Sequence, residues 1–173
     1  MIIILLGYMT SGKSTIGRLL SQKLRYDFID LDHYIEKKVG ASIENIFKSK
    51  GEIYFRTLEH QSLNDILEEK GDLVLSLGGG TPCYANNMNV INKNDKVLSL
   101  YLKASIGTIV ERLWHEKSKR PLVSHIKDRE QLLEFVGKHL FERAHFYEQA
   151  DYNIDINRKP SKVIVEEIED QLF

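Results

Sequence analysis

Gly7-Tyr8-Met9-Thr10-Ser11-Gly12-Lys13-Ser14 fills every fixed position of the phosphate-binding pattern G-x-x-x-x-G-K-[ST]. The flanks agree with it. Met1-Ile2-Ile3-Ile4-Leu5-Leu6 is a short apolar, β-branched run fit for a buried parallel strand, and Thr15 to Leu24 alternates apolar and polar residues at helical spacing. A tight glycine turn between strand and helix points backbone N–H groups inward, and the helix start adds partial positive charge, so the loop suits a nucleoside triphosphate. Lys13 would reach the terminal phosphates and the Ser14 hydroxyl would ligate Mg²⁺.

The 173 residues, 42% of them hydrophobic, can bury a sizeable core and fit one domain spanning 1–173. With 24 basic against 25 acidic residues the net charge is −1, so no global field draws the chain to nucleic acid or an anionic membrane. Cys83 is the one cysteine and has no disulfide partner. The apolar start lacks a charged region before it and leads straight into the phosphate loop, so it reads as a core strand, not a signal peptide. No apolar stretch approaches membrane-spanning length. A cytoplasmic monomer is expected, with small molecules as its partners.

Strand-like runs at Ile2–Leu6, Phe28-Ile29, Leu73–Leu77, Val97–Leu102 and Tyr152–Ile156 alternate with helical patterns. The helices are expected at Lys13–Leu24, His33–Val39, Ile43–Lys50, Glu52–Glu69, Met88–Ile91, Ile106–Glu116, Arg129–Gln149 and Ser161–Leu172. This alternation predicts a three-layer α/β/α chain around a five-stranded parallel sheet, with ligands beyond the carboxyl ends of the strands.

The residues following the strands carry the remaining signals. Asp30 and Asp32 would share a face if their segment stays extended, one serving Mg²⁺ and one an attacking hydroxyl. Alternatively one of the two, with Asp32 the first choice, caps the next helix. Gly78-Gly79-Gly80 either lets main chain approach a ligand or is a flexible turn. Arg56, Arg120 and Arg143 have the planar fork that matches a carboxylate or phosphate, although each alone could be a solvated surface residue. The six histidines have no metal-site spacing and read as structural or surface residues. His115 to Arg120, charge-rich and followed by Pro121, suits either a solvated loop or a mobile lid.

Taken together, Gly-Tyr-Met-Thr-Ser-Gly-Lys-Ser-Thr at 7–15, Phe-Ile-Asp-Leu-Asp at 28–32, Gly-Glu-Ile-Tyr-Phe-Arg at 51–56, Leu-Ser-Leu-Gly-Gly-Gly at 75–80, Arg-Pro-Leu at 120–122 and Glu-Arg-Ala-His-Phe-Tyr at 142–147 resemble the shikimate kinases over essentially the full length. The resemblance implies a P-loop kinase fold that transfers the γ-phosphate of ATP to the 3-hydroxyl of shikimate, with Mg²⁺ as cofactor. It implies that Gly7, Thr10, Ser11, Gly12, Lys13, Ser14 and Thr15 hold the phosphates. Arg112 and Arg158 with Pro160 would flank the adenine. Arg56 and Arg143 would grip the shikimate carboxylate, Asp32 its ring hydroxyls, and Gly78, Gly79 and Gly80 would lie against it. Lys13, Asp32 and Arg120 would be catalytic, Asp32 as the base, while Ser14 binds Mg²⁺ directly and Asp30 through water. Substrate binding would occupy about 31–60 and a lid about 115–128. The chain departs from many relatives in carrying Thr10 where they carry glycine.

Two other readings are set beside it. A gluconate kinase shares the loop and fold but takes an open-chain acid, and its pattern does not combine the Phe-Arg, triple-glycine and Arg-x-x-x-Tyr elements. A nucleotide-dependent switch module would signal by conformation, whereas paired carboxylates and converging arginines describe a pocket for a small polar acid.

Overall fold

Ile2–Leu6 form β1, and all five residues are buried. A strand covered on both faces gains nothing from alternation, so its sequence is continuously apolar. In the computed structural model, which describes residues 1–69 and 71–173, β2 (Asp27–Asp30), β3 (Leu73–Ser76), β4 (Val97–Lys103) and β5 (Tyr152–Asp155) join it in the order β2-β3-β1-β4-β5. Every pairing is parallel, with Ile2 opposite both Leu73 and Val97, Asp30 opposite Ser76, and Leu100 opposite Tyr152. The eight helices of the described residues are α1 (Lys13–Leu24), α2 (Leu31–Val39), α3 (Ile43–Lys50), α4 (Glu52–Glu69), α5 (Asn87–Asn92), α6 (Ile106–Glu116), α7 (Arg129–Tyr147) and α8 (Ser161–Leu172).

The connection through α1 runs from central β1 out to the edge at β2, and the later crossovers run the opposite way across the sheet. Since parallel crossovers are right-handed, the reversal sends α1 to one face and the helices preceding β3, β4 and β5 to the other. α8 returns to pack beside α1, completing the three layers. The reversal falls between neighbouring strands β1 and β3, which opens a crevice beyond their carboxyl ends. The phosphate-loop sequence leaves β1 at that crevice and the triple glycine follows β3 into it. No helix among the described residues is long and apolar enough to cross a membrane.

The expected elements all form, with one consequential shift. The expected helix His33–Val39 begins at Leu31, because the Asp30 carboxylate accepts a hydrogen bond from the His33 backbone N–H at 3.3 Å and caps it. The segment 30–32 therefore does not stay extended, and Asp30, not Asp32, is the cap. The two carboxylates meet at the crevice through a strand-to-helix turn instead of a shared strand face. The smaller differences are at ends: β2 and α5 are one residue longer on each side, and α7 stops at Tyr147, where Glu148 N–H closes on Ala144 O.

Gly17 sets how closely α1 lies on the sheet. A Cβ there would stand 2.5 Å from Phe28 Cε2 and 3.2 Å from Leu5 Cδ1. Gly17→Ala should lower stability by about 1–3 kcal/mol through overpacking, although alanine is the better helix former. A denaturant titration checks this, and unchanged stability would mean that α1 rides further from β2.

Candidate active site

The phosphate loop is held open by left-handed backbone. Gly7 (φ 146°) and Gly12 (φ 91°) adopt it cheaply, whereas Thr10 (φ 61°) does so at a cost of roughly 1–2 kcal/mol. Thr10→Gly would remove the strain. Here α6 supports the turn, with Arg112 Nη1 donating to Thr10 O at 2.9 Å. A Cβ on Gly7 would also stand 2.8 Å from Leu102 O in β4. Gly12 at the N-cap makes no side-chain cap to α1, so the first backbone N–H groups of that helix are left to a ligand. Thr10 Oγ1 and Ser11 Oγ are buried without protein partners.

Lys13 Nζ donates to Gly7 O at 2.8 Å and Tyr8 O at 3.0 Å. Burial pulls its pKa down to about 8, with Asp32 and Asp30 acting against the fall. Ser14 Oγ donates to Asp30 Oδ2 at 2.6 Å. These two oxygen donors suit Mg²⁺, which takes one or two protein oxygens and leaves its other positions to phosphate and water. The described residues contain no group of three or more His, Cys, Asp or Glu side chains that could hold a metal.

The three consecutive glycines each meet a polar side chain from a different element. A Cβ on Gly78 would stand 2.9 Å from Asp32 Oδ1, one on Gly79 3.8 Å from Arg143 Nη1, and one on Gly80 2.7 Å from Arg56 Nη2. The loop is thus a packed surface around which the charged groups are arrayed, not a flexible turn. Arg56 is fixed on three sides. Its Nη1 donates to Glu59 Oε2 at 2.8 Å, its guanidinium carbon lies 4.0 Å from the Tyr84 ring centre, and Gly80 lies against Nη2. Glu59, 1% exposed, also accepts from Thr81 Oγ1 at 2.6 Å. Arg143 leads by one turn of α7 to Tyr147, whose hydroxyl donates to Gly79 O at 2.5 Å. Glu59, Thr81 and Tyr84 are partners that motif reading passed over. Glu59 left a trace in the sequence, since it interrupts the buried face of α4 formed by Phe55, Leu63 and Ile66.

A cavity of about 260 Å³ joins these parts, lined by Lys13, Ser14, Asp30, Asp32, Gly78 and Gly79 among others, with Glu116 and Arg120 at its rim. Arg120 is half-buried and pairs loosely with Glu116 at 3.4 Å. Gly80, Arg56 and Arg143 buttress the lining without forming it. Arg112 and Arg158 meet in a separate groove of about 640 Å³ with Thr108 and Asn157, reached from the phosphate loop through the Arg112–Thr10 bond. Pro160 stands two residues beyond Arg158 as the N-cap of α8. After α6 the chain passes through a 3-10 turn at Lys117–Lys119, and Val123 and Ile126 are buried, so this stretch is anchored and not merely solvated. Lys117 ties its two ends together, lying 4.1 Å from the Trp114 ring and donating to Ile126 O at 3.0 Å.

Burial, reinforced by Asp30 and Glu59, pushes the Asp32 carboxyl up to about 6, against the pull of Lys13. The folded chain therefore binds more protons than the unfolded chain between pH ~4 and ~6, and this group's contribution to stability falls as pH rises through that window. Asp32→Asn should raise the apo Tm at pH 7, by the equivalent of roughly 1–3 kcal/mol, and the gain should vanish below pH ~4, where aspartate is protonated in both states. A loss of Tm at pH 7, or the same gain at both pH values, contradicts a strained carboxylate.

Residues 9–173 match the family described as shikimate kinase. A shikimate kinase of Flavobacterium psychrophilum is 47% identical over 171 residues, covering 99% of this chain and 98% of that protein. Two solved structures superpose over 99% of the chain. One is a shikimate kinase from Bacteroides thetaiotaomicron, with TM-score 0.89, 33% identity and 97% of its own chain covered. The other, from Acinetobacter baumannii in complex with shikimate, has TM-score 0.84, 34% identity and 92% coverage. With a phosphate loop, a polar acid pocket and a full-length match in agreement, the chain belongs to the shikimate kinase family.

Proposed function

We propose that the chain transfers the γ-phosphate of ATP to the 3-hydroxyl of shikimate, giving shikimate 3-phosphate and ADP. The observation that carries this is the cavity onto which the phosphate loop, Asp32, Gly78 and Gly79 all open, with both acid-binding arginines packed against that glycine loop. A cytoplasmic setting, where a lone cysteine stays reduced, goes with this reading.

The polyphosphate lies along the N–H groups of the loop from Gly7 to Thr15, and the base extends toward Arg112, Arg158 and Pro160. Arg56 and Arg143 take the shikimate carboxylate as paired donors. Glu59 and Tyr84 keep the Arg56 fork turned, and Asp32 accepts from the ring hydroxyls. This fixes the 3-hydroxyl oxygen in line with the γ-phosphorus. As that oxygen bonds to phosphorus, the bond to the β–γ bridging oxygen breaks, ADP leaves with the electron pair, and the hydroxyl proton passes to Asp32. A carboxylate raised to about 6 is a stronger base than an ordinary one and still ionised at neutral pH. Lys13 and Arg120 stabilise charge on the transferring group. Ser14 and Asp30 would hold Mg²⁺, which when bound would neutralise charge on the phosphates. The stretch from about 115 to 128 acts as the lid that carries Arg120 inward and excludes water.

ADP release measured with ATP alone, with shikimate and with gluconate tests the reading. Turnover should require shikimate; turnover only with gluconate, or equal hydrolysis in all three arms, would reject it. Lys13→Met should lower kcat by ~10² or more without unfolding the chain. Arg56→Lys keeps the charge and loses the fork, so KM for shikimate should rise while KM for ATP barely moves. Equal losses for both substrates would mean that α4 had shifted instead.

A further inference from the structure

Along the inward face of α7 the residues change character. Leu132 and Val136 are buried apolar residues, but the same stripe continues with His139, three residues on, and then with Arg143 and Tyr147 at four-residue spacing. Arg143 and Tyr147 engage the glycine loop. His139 engages the phosphate loop: its Nδ1 lies 2.8 Å from the Tyr8 hydroxyl, and the two rings meet edge to face at 5.4 Å. Phe135 packs on the other side of the imidazole at 5.3 Å. Tyr8 is 1% exposed, and its backbone carbonyl accepts both from Lys13 Nζ at 3.0 Å and from Ser11 N–H at 3.2 Å. A displacement of Tyr8 is therefore a displacement of Lys13.

We propose that His139 is a positioning residue which, through the Tyr8 hydroxyl, locks the phosphate loop to the helix bearing Arg143, so that the γ-phosphate and the carboxylate of the acceptor are registered by one rigid unit. No sequence pattern for the phosphate loop demands a hydroxyl at position 8, which is one of the free positions. A phenylalanine would fill the same apolar space. What the phenol adds is one bond reaching 131 residues along the chain. Burial keeps both partners uncharged, raising the Tyr8 phenol and, with help from Arg143, lowering His139, so the pair is a neutral hydrogen bond and not an ion pair. With the lock closed, ordering the phosphate loop on nucleotide also orders α7, and Arg143 meets the carboxylate already placed. Nucleotide and shikimate then strengthen each other's binding.

The inference rests on the reading of the chain as a shikimate kinase, and four variants separate the two. Tyr8→Phe and His139→Leu each remove the bond, the pair together removes it once, and His139→Asn keeps a polar nitrogen or oxygen near the Nδ1 position. The readouts are kcat, KM for both substrates, and the ratio of shikimate Kd measured by calorimetry without and with a non-hydrolysable ATP analogue. Tyr8→Phe and His139→Leu should each lower kcat ~10-fold by misplacing Lys13 against the acceptor, and should bring the Kd ratio close to one. The double variant should be no worse than either single, because both delete one interaction. His139→Asn should recover most of kcat and of the ratio. Wild-type kcat and ratio in both single variants, whatever happens to Tm, overturn the lock, as do losses that multiply in the double variant or a wild-type ratio of one. If His139→Leu does not fold, Tyr8→Phe and His139→Asn carry the test. A wild type that does not phosphorylate shikimate removes the functional reading itself.

Discussion

A buried ammonium facing two partly buried carboxylates is the constraint around which the molecule is arranged. Lys13 can stay cationic away from water only because two loop carbonyls accept from it and Asp32 and Asp30 lie opposite. Asp32 in turn is held near Lys13 in surroundings that penalise its charge. Neither group is at its ordinary pKa, and each partly offsets the other. The arrangement costs stability and yields a site whose charges are already aimed before substrate arrives. The hydrophobic remainder makes that possible. β1 is buried throughout, and Gly17 lets α1 press against Phe28 so that the loop between them has one shape.

The same logic explains why the triple glycine is a junction. Asp32 from α2, Arg56 from α4 and Arg143 from α7 arrive from three segments far apart in sequence, and each touches a different glycine. At Gly78 and Gly80 only main chain without a side chain allows Asp32 and Arg56 that close to the turn. Tyr147 fixes Gly79 O and Thr81 ties the next residue to Glu59, so the junction is held by hydrogen bonds and not by loop stiffness. An acceptor bearing a carboxylate and several hydroxyls then meets preplaced donors and acceptors on one surface.

Much of this was readable in the chain. The phosphate loop is a local pattern in which strand, turn and helix are consecutive, so motif and periodicity together specify it, and the five strands follow from their apolar runs. What motif reading passed over are partnerships across long sequence distances. Glu59, Thr81 and Tyr84 acquire meaning only once α4 is folded against the glycine loop, and His139, one of six histidines read as structural or surface residues, acquires its partner only where α7 lies beside Tyr8. The Asp30–Asp32 error had a different origin. Two-residue spacing implies a common face only in a strand, and the strong N-cap preference of Asp30 ended the strand between them. Thr10 is the converse case, a departure from glycine whose strain is visible in its φ angle and whose support from Arg112 comes from a helix a hundred residues away.

The central claim is that Arg56 and Arg143 recognise a carboxylate while the phosphate loop, on the other side of Asp32, handles ATP. Comparing kcat/KM for shikimate and for its methyl ester, in the wild type and in Arg143→Met, addresses it directly. The wild type should prefer the free acid by ~10² or more, the range expected for a partly buried charge pair, and Arg143→Met should lose at least a tenfold share of that preference while KM for ATP stays within a few-fold. An unchanged preference for the free acid in Arg143→Met, or a wild type indifferent to esterification, would contradict it.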